Sequence, residues 1–127
     1  MGQQQLLLII VGVLAVGLAI AVGISLFGAN SAASNKDGVT ASLIMIASDA
    51  YHYKIRPSTM GGGSNSFISY TIPRKLQKDD HGTYSVTSVS STTATLQGQS
   101  SVNTAWVATC VVDDTGSTII NYTYSGW

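Results

Sequence analysis

The chain has 127 residues, six basic and six acidic side chains, and a formal net charge of zero; charged residues make up only 9% of it. That balance leaves no electrostatic footprint for nucleic acid, so no nucleic-acid partner is expected. A neutral, charge-poor surface also suits a dispersed soluble monomer badly and an assembled protein better.

The first predicted element is apolar. Leu6 to Phe27 runs 22 residues without a charge, and the first charged side chain is Lys36. At 1.5 Å per residue such a helix is roughly 33 Å long, enough to cross the hydrocarbon core of a bilayer. A secretory signal peptide fits poorly. Met1 to Gln5 carries no Lys or Arg, and the apolar run exceeds the usual 7–15 residues, although Ala29-Asn30-Ser31-Ala32 has the small residues of a cleavage site. A plain single-pass anchor lacks its usual flanking cations and its interfacial Trp or Tyr. Gly12, Gly17, Gly23 and Gly28 recur along the segment without GxxxG spacing. Glycines let neighbouring helix backbones approach, so the pattern favours a helix packed among other helices. The first region is therefore 1–28, a membrane span or the core of a polymer.

Residues 29–56 continue the helix with one apolar face. Val39, Leu43, Ile46, Ala50 and Tyr53 step by four and three, with Ile44, Ala47, Tyr51 and Ile55 as a second row, the pattern of a helix lying on a sheet. Asn35-Lys36-Asp37-Gly38 is the weakest stretch, where a bend or local loosening is expected. Pro57 ends the helix. Both halves together predict one helix of about 55 residues, roughly 80 Å.

Residues 57–81 form a glycine-bearing connector. Met60 to Ser64 is flexible by composition; Phe67 to Ile72 reads either as a short strand or as a segment packed on the helix. Arg74, Lys75, Lys78, Asp79 and Asp80 read as a solvated charged loop. From 82 to 127 the period becomes two. Thr83–Val89, Thr92–Gln97, Ala105–Val112 and Ser117–Tyr124 predict three or four antiparallel strands in a meander, with Ala105–Val112 the most buried and Asp113-Asp114-Thr115-Gly116 a turn. The fold class expected is α+β: a long N-terminal helix, about 1–56, whose C-terminal half packs on a 3–4-stranded antiparallel sheet.

The residues with reactive side chains are sparse. Cys110 is the only cysteine, so no disulfide forms within the chain; in an apolar run it reads as a buried inert thiol, with an intermolecular bridge as the alternative. His52 and His81 have no Cys or second His at zinc spacing. Asp79-Asp80 and Asp113-Asp114 read as turns rather than a calcium site. No local motif suggests a catalytic Ser-His-Asp set. No enzyme activity, cofactor or metal is expected. Ser and Thr number 30 of the 127 residues, typical of an extracellular surface, and Asn121-Tyr122-Thr123 is an N-x-T sequon that makes Asn121 a candidate glycosylation site.

An apolar N-terminal helix, an amphipathic continuation, a glycine-bearing connector and a C-terminal antiparallel sheet resemble the type IV pilin family, most specifically in residues 1–28. The resemblance implies a structural subunit of an extracellular pilus-like filament, its partners being further copies of itself, the cytoplasmic membrane before assembly, a prepilin peptidase and the pilus assembly machinery. It implies a leader removed before Met1 and methylation of the new N-terminus. Gln5 then stands where the family usually has a glutamate that pairs with a neighbour's terminal ammonium; cleavage after Gly2 would put Leu7 there instead, and the first register is preferred because Gln keeps the size and hydrogen-bonding capacity of Glu. A neutral amide avoids the desolvation of a buried carboxylate and gives up its charge attraction. The proline that many bacterial pilins carry within this helix is also missing. In this frame Leu6, Leu7, Ile10, Leu14, Leu18, Ile24 and Phe27 form the filament core. Two other roles fit the same sequence: a membrane-anchored extracellular binding module, and a minor pilin or secretion pseudopilin.

Overall fold

A computed structural model describes residues 2–123; Met1 and residues 124–127 lie outside the described part. The element order is α1 (Gly2–Ile55), two 3-10 turns at Ser58–Met60 and Arg74–Leu76, then β1 (Gly82–Val89), β2 (Ala94–Ser100), β3 (Val107–Val112) and β4 (Thr118–Tyr122). The fold is α+β, a long N-terminal helix and a four-stranded antiparallel meander in the order β1-β2-β3-β4. The chain divides into two compact units, with the boundary between Ala33 and Ser34.

The N-terminal unit is helix alone. Leu, Ile, Val and Ala dominate it and keep a helix without help from charge pairs. Its large side chains are all exposed.

The C-terminal unit has a core of its own. Val39, Leu43, Ile46, Ala47 and Ala50 of α1 are buried, as are Leu96, Ala94, Ala108, Cys110 and Val112 of the sheet. The strands alternate as a half-covered sheet must: β3 is buried at every second residue and half-buried between them. The apolar run there does not make a strand buried on both faces, because α1 covers only one. The inward row Tyr84–Gly98–Ala108–Tyr122 is in register across all four strands. Small residues at its centre let the helix come close: a Cβ at Gly98 would stand 3.1 Å from Val39. The flanking tyrosines reach towards the helix, the Tyr122 hydroxyl sharing a hydrogen bond of 2.5 Å with the Thr40 hydroxyl.

Three details differ from the sequence expectation. The helix continues unbroken through Asn35–Gly38. Asn35 is buried, donates to the His81 carbonyl at 2.9 Å and accepts from the Ser100 hydroxyl. A buried amide with both ends satisfied fixes the helix there instead of loosening it. The apolar face is also narrower than two full rows: Ala47 and Tyr51 turn inward, whereas Ile44 and Ile55 are exposed. Finally, the glycine-bearing connector is a helix cap. Gly63 N–H donates to the Tyr53 carbonyl at 2.8 Å and Asn65 N–H to the Lys54 carbonyl at 2.6 Å, satisfying carbonyls in the last turn of α1, and Ser64 N–H donates to the carbonyl of Arg56, just beyond it, at 3.0 Å. Phe67, Tyr70 and Ile72 then enter the core without forming a strand.

Gly38 carries a testable consequence. An exposed helical glycine replaced by Ala normally gains about 1 kcal/mol. Here the added Cβ would stand 2.4 Å from the His81 ring, whose backbone is held at both its N–H and its carbonyl. Gly38→Ala is expected to lower the thermal midpoint, and His81→Ala added to it to recover most of the loss. A midpoint raised by the single change would contradict this packing.

Candidate functional site

The residues expected to form an assembly surface all lie on α1, in the N-terminal unit. Leu6 is 61% exposed, Leu14 61%, Leu18 68% and Phe27 76%. Leu7, Ile10 and Ile24 are exposed as well, as is Gln5, just before the apolar run. Met1 lies outside the described residues. Counting from Leu6 to Phe27, fifteen large apolar side chains are exposed, on every side of the helix. The segment is long and apolar enough to cross a membrane.

A helix apolar all round is stable in lipid or inside a bundle, not in water. At about 1.5–3 kcal/mol for each fully buried side chain, fifteen of them represent a gross driving force of roughly 20–45 kcal/mol, against which ordering and association costs must be set. The segment has no titratable side chain, and Ser25 carries its single hydroxyl. Its chemistry is burial.

The polar groups of the C-terminal unit build structure around the sheet. Asp79, expected in a solvated loop, is instead a hub. Its carboxylate accepts from the Ser42 hydroxyl of α1 at 2.5 Å, from the N–H groups of His81 and Gly82 at 2.8 and 2.9 Å, and from the Tyr84 hydroxyl at 3.0 Å. Partial burial pushes its pKa up, but these donors outweigh it and hold the carboxyl below its ordinary value. For Tyr84, burial is the largest cause of a hydroxyl pushed up to about 12; Ser42 acts the other way, and the Asp79 carboxylate adds to the rise. Tyr70 is likewise raised, by burial and then by its 2.8 Å bond to Asp49.

A depressed carboxyl pKa stabilises the folded state above the ordinary value near 3.9, and that stability is lost as pH falls through the lower folded value. The C-terminal unit is therefore expected to lose stability below about pH 4. Asp79→Asn should cost on the order of 1–2 kcal/mol at pH 7, since the carboxylate is only part-buried, and should flatten the acid limb of a plot of thermal midpoint against pH. An unchanged acid limb would remove Asp79 from this role.

Lys54, on the last turn of α1, is buried, at 4% exposure. Its ammonium donates to the Asp114 carbonyl at 2.7 Å and lies 5.5 Å from the Phe67 ring centre. It also helps to hold the Asp113 carboxyl below its ordinary value, after the Thr115 hydroxyl bond that dominates there. Asp113 closes the β3–β4 turn by accepting from the N–H groups of Thr115 and Ser117 at 3.0 and 2.9 Å. Cys110 is buried, and burial pushes its thiol up to about 11, which suits a packing role rather than a reactive one. His52 is exposed, and the His81 ring lies where a side chain at Gly38 would be. Among the described residues no group of three or more His, Cys, Asp or Glu side chains could hold a metal.

Among the described residues, shallow clefts open on this unit. One, of about 330 Å³, is lined by Tyr70, Thr71, Ile72, Gln77, Tyr84, Ser85 and Val86; another, of about 230 Å³, by Ala47, Ser48, Tyr51, His52, Thr115, Gly116 and Thr118. In the first, both tyrosine hydroxyls are committed to carboxylates and the Gln77 amide to the Ile72 carbonyl. Asn121 is exposed on β4, apart from these groups.

Compared with protein-family models, with curated proteins and with solved structures, the chain matches none.

Proposed function

We propose that the chain is a structural subunit of an extracellular, type IV pilus-like filament that polymerises through its N-terminal helix. The observation that supports this most is the exposure of fifteen large apolar side chains on an uncharged helix, in a chain whose other unit already has a complete core. That exposed surface needs a partner, and two chemistries supply it: lipid before assembly and copies of the same helix afterwards. Gly12, Gly17 and Gly23 allow close helix contacts in the second state. Gln3, Gln4 and Gln5 supply neutral hydrogen bonds at the end of the segment, in place of the ammonium–carboxylate pair usual in the pilin family.

Lipid satisfies the segment as well as a bundle does, so moving it from one to the other requires external work. The chain has no nucleotide-binding motif, and the work falls to a separate assembly ATPase. Electron microscopy of material sheared from the surface of the cells that make this protein, with antibody labelling, tests the reading. Long uniform labelled filaments are expected. Label confined to monomers in the membrane fraction would replace the filament subunit with a membrane-anchored binding module.

A further inference from the structure

We propose that Asn121 is an N-glycosylation site, and that its glycan covers the open edge of the sheet. A sequon alone is weak in a chain so rich in Ser and Thr. Here the fold displays it. Tyr122, the middle residue, turns inward, where its hydroxyl bonds Thr40 and its ring receives the Lys36 ammonium at 4.2 Å. Strand alternation then places Asn121 on the opposite face, and Thr123, just past the strand and held by its N–H to the Val107 carbonyl at 2.9 Å, is exposed like Asn121. The acceptor amide and the hydroxyl that a transferase must read together are both open to solvent.

The second observation is the difference between the two edges of the sheet. Edge strands invite pairing with other chains unless charge, proline, a bulge or a covering segment blunts them. At the β1 edge, the Gln77 carbonyl accepts from Tyr84 N–H, Lys78 bridges to Thr83, and the register shifts between Val86 and Ser88. At the opposite end of the strand order, β4 has the sequence Thr118-Ile119-Ile120-Asn121-Tyr122, with no charge and no proline; its pairing with β3 is regular, and among the described residues no strand pairs with its outer edge. Ile119 is 60% exposed on it. A bulky hydrated group at Asn121 supplies the missing protection.

The reaction is a glycosyl transfer from a lipid-linked sugar phosphate or pyrophosphate. The Asn121 side-chain nitrogen forms a bond to the anomeric carbon, and the anomeric C–O bond breaks. The lipid phosphate leaves with that electron pair, and the amide gives up one proton to a base of the transferase. The inference rests on the proposed placement of the C-terminal unit outside the cell.

The test is intact-mass and peptide mass spectrometry of the full chain purified from the cells that make it. A glycan mass on the peptide containing Asn121 is expected, retained in Thr123→Ser and lost in both Asn121→Gln and Thr123→Ala. Unmodified Asn121 in the wild-type chain overturns the inference. Protease treatment of intact cells separates the two readings in that case: cleavage of the C-terminal unit leaves the filament proposal standing, and full protection removes it too.

Discussion

Replacing Leu14 with Lys is expected to abolish filaments while leaving the chain in the membrane fraction and its C-terminal unit folded. The two environments respond differently to one charge. In a bilayer, Leu, Ile, Phe and Val each contribute about −0.3 to −0.6 kcal/mol to insertion, so fifteen of them contribute roughly −5 to −9 kcal/mol. One Lys near the helix centre opposes this by about 2.5–3.5 kcal/mol, which leaves insertion favourable, and its long side chain snorkels towards the interface. In a bundle of identical helices there is no interface within reach. Each subunit would bury an ammonium at an effective penalty of several kcal/mol, and like charges would repeat along the core. The same holds for Val16→Lys, whereas Leu14→Met preserves volume and should assemble. Normal filament yield from Leu14→Lys, measured by sedimentation and electron microscopy, would sink the polymer reading. Loss of both membrane association and filaments would instead mean that the segment works only as an anchor.

How far the sequence could be read follows from the range of the interactions involved. The apolar segment was legible because its signal is local: an uncharged run of apolar residues carries it without any partner. Val39, Leu43, Ile46 and Ala50 were legible for the same reason, since helical period alone puts them on one face. The strands announced themselves by alternation and by the Asp113–Gly116 turn. Asn35, Lys54 and Asp79 were not legible. Each is a polar residue whose role depends on a group distant in sequence: Asn35 on Ser100, 65 residues away, Lys54 on the Asp114 carbonyl, 60 away, and Asp79 on Ser42, 37 away. Composition assigns such residues to solvent, and only the register of helix against sheet takes them out of it. The connector was misread by the same logic. Glycine content suggested flexibility, but the backbone N–H groups it supplies are needed by the carbonyls that end α1. Ile44 and Ile55 show the opposite error, apolar residues placed inside by periodicity that are exposed in the fold.

The largest stability effect is expected in that same connector. Phe67 lies outside every helix and strand, yet it is fully buried and, among the described residues, has the largest volume of those that are. It closes the core beside the end of α1 and gives the buried Lys54 ammonium an aromatic face. Phe67→Ala removes the ring and leaves a cavity, a change that typically costs about 3–5 kcal/mol. It also takes from Lys54 one of the groups that make burial of its charge tolerable. A unit of this size has a total stability of roughly 5–13 kcal/mol, so the substitution removes a large fraction of it. The thermal midpoint should fall by roughly 12–40 °C. Ile68→Ala, at the next position and 55% exposed, should change stability by no more than about 0.5 kcal/mol. Urea or thermal unfolding of the two variants in detergent separates a core residue from a loop residue one position apart. Similar small effects for both would mean that residues 57–81 are a tether after all. The expected contrast would show instead that the helix end, its cap and Phe67 form one cooperative piece, holding the sheet against α1 without any disulfide.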